Sequence, residues 1–160
     1  MPLETMTWND GVTGELPGAL DIIDQRKLPG EAVRLELTTV QGTWDAIKTL
    51  AVRGAPAIGC AAAYGVVVGA QTKLEGSAAE AADAARAAAE HLATSRPTAV
   101  NLFWALDRMK DTIAQAIESS ADGRALCQVL LKEAKAINAA DIETCRQIGK
   151  HGASVLPNPA

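Results

Sequence analysis

Residues 52–65, VRGAPAIGCAAAYG, decide how this chain folds. Pro56 is favoured in the first turn of a helix, because its missing N–H has no intrahelical partner there anyway. The glycines that follow, Gly59 and Gly65, weaken a helix unless another backbone packs closely against it. The stretch therefore predicts a helix from about Pro56 to Lys73 that is buried against its neighbours.

A membrane-spanning interpretation of this helix is unfavourable. Ala55 to Gln71 carries no charged residue, but the stretch is rich in Ala and Gly and shorter than the roughly 20 apolar residues that span a bilayer. The formal net charge of -4, without a run of Lys or Arg, offers no attraction to nucleic acid or to an anionic membrane. We expect a soluble domain that binds neither nucleic acid nor membrane.

The residues before this helix predict strands. Thr5 to Trp8 and Leu20 to Ile23 are short apolar runs, and residues 33–37 alternate between apolar and polar side chains, which is the period of a half-buried strand. A turn region is predicted between the first two runs from Gly11, Gly14, Pro17 and Gly18.

Two helices flank the glycine-rich one. Thr43 is a candidate N-cap for a short helix that precedes it, with Trp44, Ile47 and Leu50 at helical spacing. After it, residues 77–80, Ser-Ala-Ala-Glu, have the spacing of a capping box and open an alanine-rich helix to about Thr94.

Two longer helices complete the chain. One is predicted from about Ala99 to Ser119, and the last ends near Gly149 or Gly152, ahead of a helix-incompatible tail over residues 157–160. Their apolar faces are predicted to contain Leu102, Phe103, Leu106, Met109, Ile113 and Ile117 in the first, and Leu126, Leu130, Ala134, Ile137, Cys145 and Ile148 in the second.

These elements predict an α+β fold for residues 1–160, taken as one domain. A small antiparallel sheet over about residues 1–40 is followed by four or five helices in a bundle over about residues 43–152. Only 3% of the residues are aromatic, so we expect small side chains and closely packed helices in place of a large aromatic core.

Two arginines stand directly before predicted helices. Arg53, with Gly54 and Ala55, precedes the glycine-rich helix, and Arg96 precedes the helix that begins near Ala99. A helix N-terminus offers unpaired N–H groups and partial positive charge, and an arginine adds a planar fork that matches phosphate oxygens. The two helix starts and their arginines, brought together, predict a phosphate-binding site. The alternative is that each arginine is solvated or pairs with a local acid.

The cysteines and histidines have structural interpretations. Cys60, Cys127 and Cys145 are odd in number, lack metal-like or redox-like spacing and have no nearby His to activate them, so we expect small apolar side chains in a cytoplasmic protein. We expect His91 on a helix surface and His151 at a helix end. No metal site or cofactor is predicted, and the N-terminus lacks the apolar run of a signal peptide.

Two polar residues have more than one interpretation. Asp141 falls close to the apolar face of the last helix, where it could satisfy a neighbouring loop or helix end or, less simply, belong to a site. Asn101 follows Arg96 by one and a half turns and could face the same cleft, or serve packing or capping.

The chain resembles the methylthioribose-1-phosphate isomerases, a family related to the regulatory subunits of translation initiation factor 2B. The resemblance covers nearly the whole chain and rests on residues 52–65 above all. Three further segments carry it: IDQRKLP at residues 23–29, RPTAVNL at residues 96–102 and IETCRQIG at residues 142–149. The intact Pro56 and the Asn101 segment favour the isomerase branch.

The resemblance implies a function and a missing part. It implies an enzyme of methionine salvage, typically a homodimer without cofactor or metal, that converts 5-methylthioribose 1-phosphate to 5-methylthioribulose 1-phosphate, and it places Arg53, Gly54, Ala55 and Arg96 on the substrate. The family's catalytic cysteine and aspartate fall beyond Ala160, the aspartate in a Rossmann-like C-terminal domain, so this chain would be inactive alone. Alternatives are an isomerase of ribose 1,5-bisphosphate or 5-deoxyribose 1-phosphate, or a non-catalytic regulatory domain.

Overall fold

A computed structural model describes residues 4–11 and 14–156 as a small sheet and a helical bundle. The strands are β1 (Met6–Gly11), β2 (Gly14–Ile23) and β3 (Arg34–Leu37). The helices are α1 (Val40–Lys48), α2 (Ala55–Ala70), α3 (Ala78–Ala93), α4 (Val100–Ala116) and α5 (Gly123–Ser154), and a single 3-10 turn, Gln71–Lys73, extends α2. The predicted α+β class, with a sheet followed by helices, is confirmed.

The sheet is antiparallel in the order β1-β2-β3. Met6 lies opposite Ile22, and Ile22 lies opposite Leu35 on the other side. Because side chains alternate along a strand, one face of β1 and β2 is buried against the helices. Its buried residues are Met6, Trp8, Leu16, Leu20 and Ile22.

The turn predicted at Pro17 and Gly18 is wrong, because both residues lie inside β2. Gln71, from the end of the central helix, donates to the Gly18 carbonyl at 2.7 Å and accepts from the Gly18 N–H at 2.9 Å, so a side-chain amide completes the strand's hydrogen bonds there. A Cβ on Gly18 would lie 2.5 Å from the Trp8 indole. The glycine therefore makes room for an aromatic ring.

Helix α2 is the core of the bundle, as residues 52–65 predicted. All its residues from Ile58 to Ala70 are buried. A Cβ on Gly65 would lie 2.8 Å from Leu92, and one on Gly69 would lie 2.5 Å from Ala88, so both glycines let α3 approach closely. Ala55–Lys73 is long and apolar enough to cross a membrane, but 72% of its most apolar window is buried inside the domain.

The helix starts differ in part from those predicted. The capping box of Ser77 and Glu80 is confirmed, and Asp122 caps α5 by accepting from the Ala125 N–H at 2.8 Å. Thr43 does not cap α1, because Thr39 does so through the Gly42 N–H, and Thr43 is buried one turn inside the helix. Its hydroxyl instead donates to the Thr39 carbonyl, which leaves its methyl group free to pack.

Some side chains predicted to be buried are exposed. Cys145 and Ile148 lie on the second half of α5, which extends past the other helices, and every residue from Ile142 to Leu156 is exposed. Phe103 on α4 is 38% exposed because it falls beside the buried Leu102 stripe. Helical spacing identifies a face, but not how far the partners of that face extend. The predicted tail over residues 157–160 lies outside the described residues.

Candidate functional site

The starts of α2 and α4 lie against each other. A Cβ on Gly59, in the second turn of α2, would lie 2.6 Å from the carbonyl oxygen of Asn101, in the first turn of α4, and 3.2 Å from the Ala105 methyl group. Only a glycine permits this approach, because any side chain would push the two backbones apart. Two segments that are 42 residues apart in sequence, at Gly59 and Asn101, are thus brought together at one surface.

These two helix starts have no side-chain cap, in contrast to the other three. Gly54 and Ala99 stand at the N-cap positions of α2 and α4 and make no capping side-chain hydrogen bond. The backbone N–H groups of the first turns therefore have no acceptor among the described residues, namely those of Ala55, Ala57, Val100 and Asn101. Such groups, with the helix dipole behind them, attract anions.

Each of the two uncapped starts is preceded by an arginine that has no side-chain partner among residues 4–11 and 14–156. Six of the eight arginines pair with a carboxylate, at Arg26, Arg34, Arg86, Arg108, Arg124 and Arg146. Within the described residues, the side chains of Arg53 and Arg96 have neither a carboxylate nor another hydrogen-bond partner. Arg53 is exposed and Arg96 is half-buried, so both are accessible to a ligand.

The loop between α1 and α2 is held by backbone contacts rather than by a cap. Ala51 accepts from the Gln25 N–H at 3.0 Å, and the Val52 N–H donates to the Ala46 carbonyl at 3.1 Å. Gly54 has φ = 100°, a conformation that side chains disfavour, and this turn directs the chain into the first residues of α2.

An ion pair supports the same loop from the end of β2. The Arg26 guanidinium donates to both oxygens of Asp24 at 2.7 Å and to the Thr49 hydroxyl at 2.8 Å. The Asp24 side chain is only 3% exposed, and its hydrogen bond to Arg26 holds the pKa of the Asp24 carboxyl below its usual value of 3.8. Residues of the IDQRKLP segment therefore position the segment that carries Arg53.

A cleft begins beside the two uncapped helix starts and runs between α2, α4 and α5. It has a volume of about 370 Å³. Pro56 and Asn101, in the first turns of α2 and α4, form its end nearest the arginines. The remaining walls are mostly apolar and are formed by Cys60, Trp104, Arg108, Ile137, Ala140, Asp141 and Thr144.

Asn101 and Asp141 both line this cleft. The Asn101 side-chain amide makes no hydrogen bond within the described part of the chain, so it is available to a ligand. The Asp141 carboxylate does not satisfy a loop or helix end within the described residues; it accepts from the thiol of Cys145 on its own helix, at 4.0 Å. The site interpretation of both residues therefore gains support from their position.

The buried thiols are poor nucleophiles. Burial raises the pKa of Cys60 to about 12, with a further contribution from the Asp141 carboxylate, and burial raises the pKa of Cys127 to about 12 as well. A thiol reacts as its thiolate, so neither residue is activated. Both are buried as predicted, whereas Cys145 is exposed on α5.

Sequence reasoning missed two residues of the cleft wall. Trp104 is 51% exposed, and the Arg108 guanidinium lies 5.5 Å from the centre of its ring while also pairing with Glu133 of α5. Trp104 and Arg108 are four residues apart and therefore lie on one face of α4. This spacing could have identified them from the sequence, but the longer row of apolar residues that contains Leu102 indicated a different face. The His91 ring lies on the surface, stacked on Trp44, as expected of a helix-surface residue.

Metal coordination finds no support in the described ranges. Within residues 4–11 and 14–156, no three His, Cys, Asp or Glu side chains lie close enough together to hold an ion. The geometry suits anion binding at the two helix starts, next to a mostly apolar cleft whose lining includes the charged side chains of Arg108 and Asp141.

Comparisons with known proteins converge on one group. Residues 51–159 match the Initiation factor 2 subunit family. The chain is 46% identical over 155 residues to the 5-deoxyribose 1-phosphate isomerase of Moorella thermoacetica. The aligned region covers 97% of this chain and 42% of that protein. It is 47% identical over 154 residues to the methylthioribose-1-phosphate isomerase of Rhodopirellula baltica, with 96% and 42% covered.

Solved structures show the same fold. The delta subunit of translation initiation factor eIF-2B from A. fulgidus superposes with a TM-score of 0.83 at 35% identity, covering 97% of this chain and 42% of that one. The 5-methylthioribose 1-phosphate isomerase from Pyrococcus horikoshii OT3 gives a TM-score of 0.81 at 35% identity, covering 96% and 41%. The chain thus spans about two fifths of the length of these relatives.

Proposed function

Because this chain belongs to the Initiation factor 2 subunit family, we propose that it forms the phosphate-binding part of a sugar-phosphate isomerase. The proposed reaction is the conversion of 5-methylthioribose 1-phosphate to 5-methylthioribulose 1-phosphate. The relatives named as isomerases are named for two sugar phosphates that differ at carbon 5 and share the phosphate on carbon 1. The proposal therefore concerns the binding of that 1-phosphate before the identity of the group on carbon 5.

One observation carries the proposal: in the part of the chain that the structure describes, the two α-helix starts without a side-chain cap are the two that are preceded by an arginine without a side-chain partner. A phosphate at this place would accept hydrogen bonds from the free N–H groups of both first turns. Arg53 and Arg96 would add charge-assisted bonds. Gly54 and Ala55 contribute backbone only, which lets the phosphate approach closely.

The proposed role of these residues is binding and orientation. The aldose–ketose conversion breaks the bond between carbon 1 and the ring oxygen while the phosphate stays on carbon 1. A proton is removed from carbon 2 and one is added at carbon 1, and the ring oxygen gains a proton while the carbon 2 hydroxyl loses one, which leaves a carbonyl at carbon 2. Holding that phosphate fixes the two carbons against the groups that move the protons. The resemblance assigns the proton transfers to a cysteine and an aspartate beyond Ala160, so we expect residues 1–160 alone to bind without turnover.

The test is an isomerisation assay on the natural gene product that contains this chain, with 5-methylthioribose 1-phosphate as substrate. Arg53→Ala and Arg96→Ala should each lower kcat/KM at least tenfold, which is about 1.4 kcal/mol of lost binding. Arg86→Ala is the matched control, because Arg86 forms an exposed ion pair on α3 and should leave kcat/KM unchanged.

Two results would contradict this proposal. The first is turnover that survives the loss of both arginines, and the second is turnover by residues 1–160 alone. A circular dichroism melt of each variant separates lost binding from lost folding.

The second candidate function is that of a non-catalytic regulatory domain. The observation that favours it is the TM-score of 0.83 with the eIF-2B delta subunit. A regulatory domain would retain phosphate binding at the helix starts but show no turnover of any sugar 1-phosphate. The same assay, accompanied by a binding measurement, therefore distinguishes the two functions.

The proposed homodimer rests on the exposed second half of α5. Ile142, Ile148, Val155 and Leu156 are between 44% and 80% exposed there, and apolar side chains in such number are usually covered by another surface. Sedimentation of the 160-residue chain should show self-association that weakens on Ile148→Lys. A strictly monomeric chain at high concentration would contradict it.

A further inference from the structure

We propose that Arg26 and Thr49 are positioning residues for the phosphate site. They hold the turn between α1 and α2 in a strained backbone conformation, and that turn places Arg53 and the first N–H groups of α2. The inference rests on the proposed function, because it takes a phosphate to bind at the two helix starts. Neither Arg26 nor Thr49 touches the phosphate in this account, and both act through the backbone of the loop that carries Arg53.

The strained residue is Leu50, directly after Thr49, the C-cap of α1. Its φ of 65° lies in the left-handed region, and no other non-glycine residue within residues 4–11 and 14–156 has a positive φ. Helices often end on a residue in this conformation, but it is usually glycine or asparagine, because a Cβ crowds the following carbonyl oxygen. Leu50 is 41% exposed, so burial in the core does not hold it there. Contacts on either side of it must hold the turn.

Two contacts from the end of β2 hold the residues on either side of Leu50. On one side the Arg26 guanidinium donates to the Thr49 hydroxyl at 2.8 Å, and on the other the Gln25 N–H donates to the Ala51 carbonyl at 3.0 Å. The Thr49 hydroxyl gives its own proton to the carbonyl one turn back in α1, at 2.7 Å, which leaves an oxygen lone pair for Arg26. The segment after β2 therefore fixes both ends of the strained turn.

Arg26 is itself anchored by the buried carboxylate of Asp24. Its Nε and Nη2 atoms each donate to one oxygen of Asp24 at 2.7 Å, while Nη1 donates to Thr49. All three guanidinium nitrogens are thus engaged, whereas the Arg53 side chain has no partner within the described residues. The planar fork of an arginine fits this arrangement, and the single ammonium group of a lysine does not. Arg26 therefore suits a role in holding the turn, and Arg53 a role in binding.

The turn at Leu50 decides how the chain enters α2. Ala51 and Val52 are buried directly after it, and Arg53 and Gly54 follow at the surface as the last residues before the helix. A turn that left this conformation would displace the Arg53 side chain and the first N–H groups of α2 from those of α4. Apparent affinity falls with the fraction of molecules in the binding conformation, so a turn that is correct about one fifth of the time binds about fivefold more weakly.

The experiment measures the affinity of the 160-residue chain for inorganic phosphate, by NMR titration of the first-turn amides of α2 and α4. Thr49→Val removes the hydroxyl at nearly constant volume and should weaken phosphate binding about fivefold. Thr49→Ser keeps the hydroxyl and should leave the affinity unchanged. Thr72→Val is the matched control, because the Thr72 hydroxyl donates to the Gly69 carbonyl at the opposite end of α2. It should not change the affinity for phosphate.

Two further variants separate position from charge and from folding. Arg26→Lys keeps the positive charge but cannot bridge Asp24 and Thr49, so it should weaken phosphate binding about as much as Thr49→Val. Leu50→Asn places a residue that tolerates the left-handed conformation at the turn. Combined with Thr49→Val, it should restore the affinity of the unmodified chain, because the turn no longer needs to be held. A purely structural role of Thr49 would lower stability without changing the affinity.

The outcomes separate this inference from the proposed function. Absence of any shift with inorganic phosphate in the unmodified chain would overturn the phosphate site and the inference with it. Phosphate shifts at the helix starts, combined with unchanged affinity in either Thr49→Val or Arg26→Lys, would overturn the positioning role alone. Weakened binding that Leu50→Asn does not restore would overturn the role assigned to the strained turn. Urea unfolding of each variant gives its folded fraction, so that affinities are compared for folded protein.

Discussion

Among the described residues, three α-helices of this domain begin with a side-chain cap and two do not. The two kinds of helix start differ in what they contribute to stability and in what they leave available to a ligand. Thr39, Ser77 and Asp122 each accept a hydrogen bond from one first-turn N–H, those of Gly42, Glu80 and Ala125 respectively. Gly54 and Ala99 make no such hydrogen bond at the starts of α2 and α4, and within the described residues the arginine beside each start, Arg53 or Arg96, has no side-chain partner. The capped starts stabilise the fold, whereas we propose that the uncapped starts bind an anion at a cost in helix stability.

Separating the two uncapped starts should have the largest effect. Gly59→Leu places a side chain against the Asn101 backbone, so we expect the free energy of unfolding to fall by about 3 kcal/mol and phosphate binding to be lost. Gly149→Leu is the control, since a Cβ there meets nothing within 4 Å. Urea unfolding of both variants checks this. Equal stability of the two would contradict the close approach of α2 and α4.

Loosening the loop before α2 should have the next largest effect. Asp24→Asn removes the buried partner of a half-exposed Arg26, which we expect to cost about 2 kcal/mol. The pKa of Asp24 is lowered in the folded state, so its stabilisation is present above pH 3.8 and is lost as the pH falls below that value. Unfolding measured against pH should show wild type and variant converging in acid. A constant difference down to pH 2 would contradict this role.

Adding a cap to an uncapped start should exchange binding for stability. Ala99 has extended backbone angles that suit an N-cap, so Ala99→Asp should stabilise the domain by about 1 kcal/mol. The new carboxylate would occupy the free N–H groups and repel an anion, and phosphate affinity should fall at least tenfold. Thermal melts and a phosphate titration measure the two effects. An increase in stability without loss of binding would contradict the assignment of the α4 start.

Removing a cap from a capped start should have the smallest effect. Ser77→Ala deletes the cap of α3 and should cost about 1 kcal/mol of stability. Because α3 lies outside the proposed site, phosphate affinity should not change. The same two measurements apply, and a change in phosphate affinity here would show that helix stability, not the local site, controls binding.

Much of the fold could be predicted from sequence because local rules decide it. The capping box at Ser77 and the glycine-rich α2 follow from backbone chemistry within a few residues. The errors arose where distant partners decide the outcome. Gly18 was predicted to be in a turn because nothing near it in sequence reveals the Trp8 ring or the Gln71 amide. Likewise, no local signal shows that the partners of α5 end before Cys145.

The candidate site was predictable only in part. Arg53 and Arg96 could be singled out because an arginine before a helix start has a physical meaning in the sequence alone. The cleft could not, because Trp104, Arg108 and Asp141 come together only through the packing of α4 on α5. A residue's place on a helix face is local information, whereas the space between three helices is not.

The most direct test of the phosphate site is an NMR titration of the 160-residue chain with inorganic phosphate. We predict shifts at the free amides of Ala55, Ala57, Val100 and Asn101, and none at the capped amides of Glu80 and Ala125. Arg53→Ala should weaken all four shifts together, because both helix starts would bind one ion. Shifts spread evenly over capped and uncapped starts, or absent from both, would contradict the account.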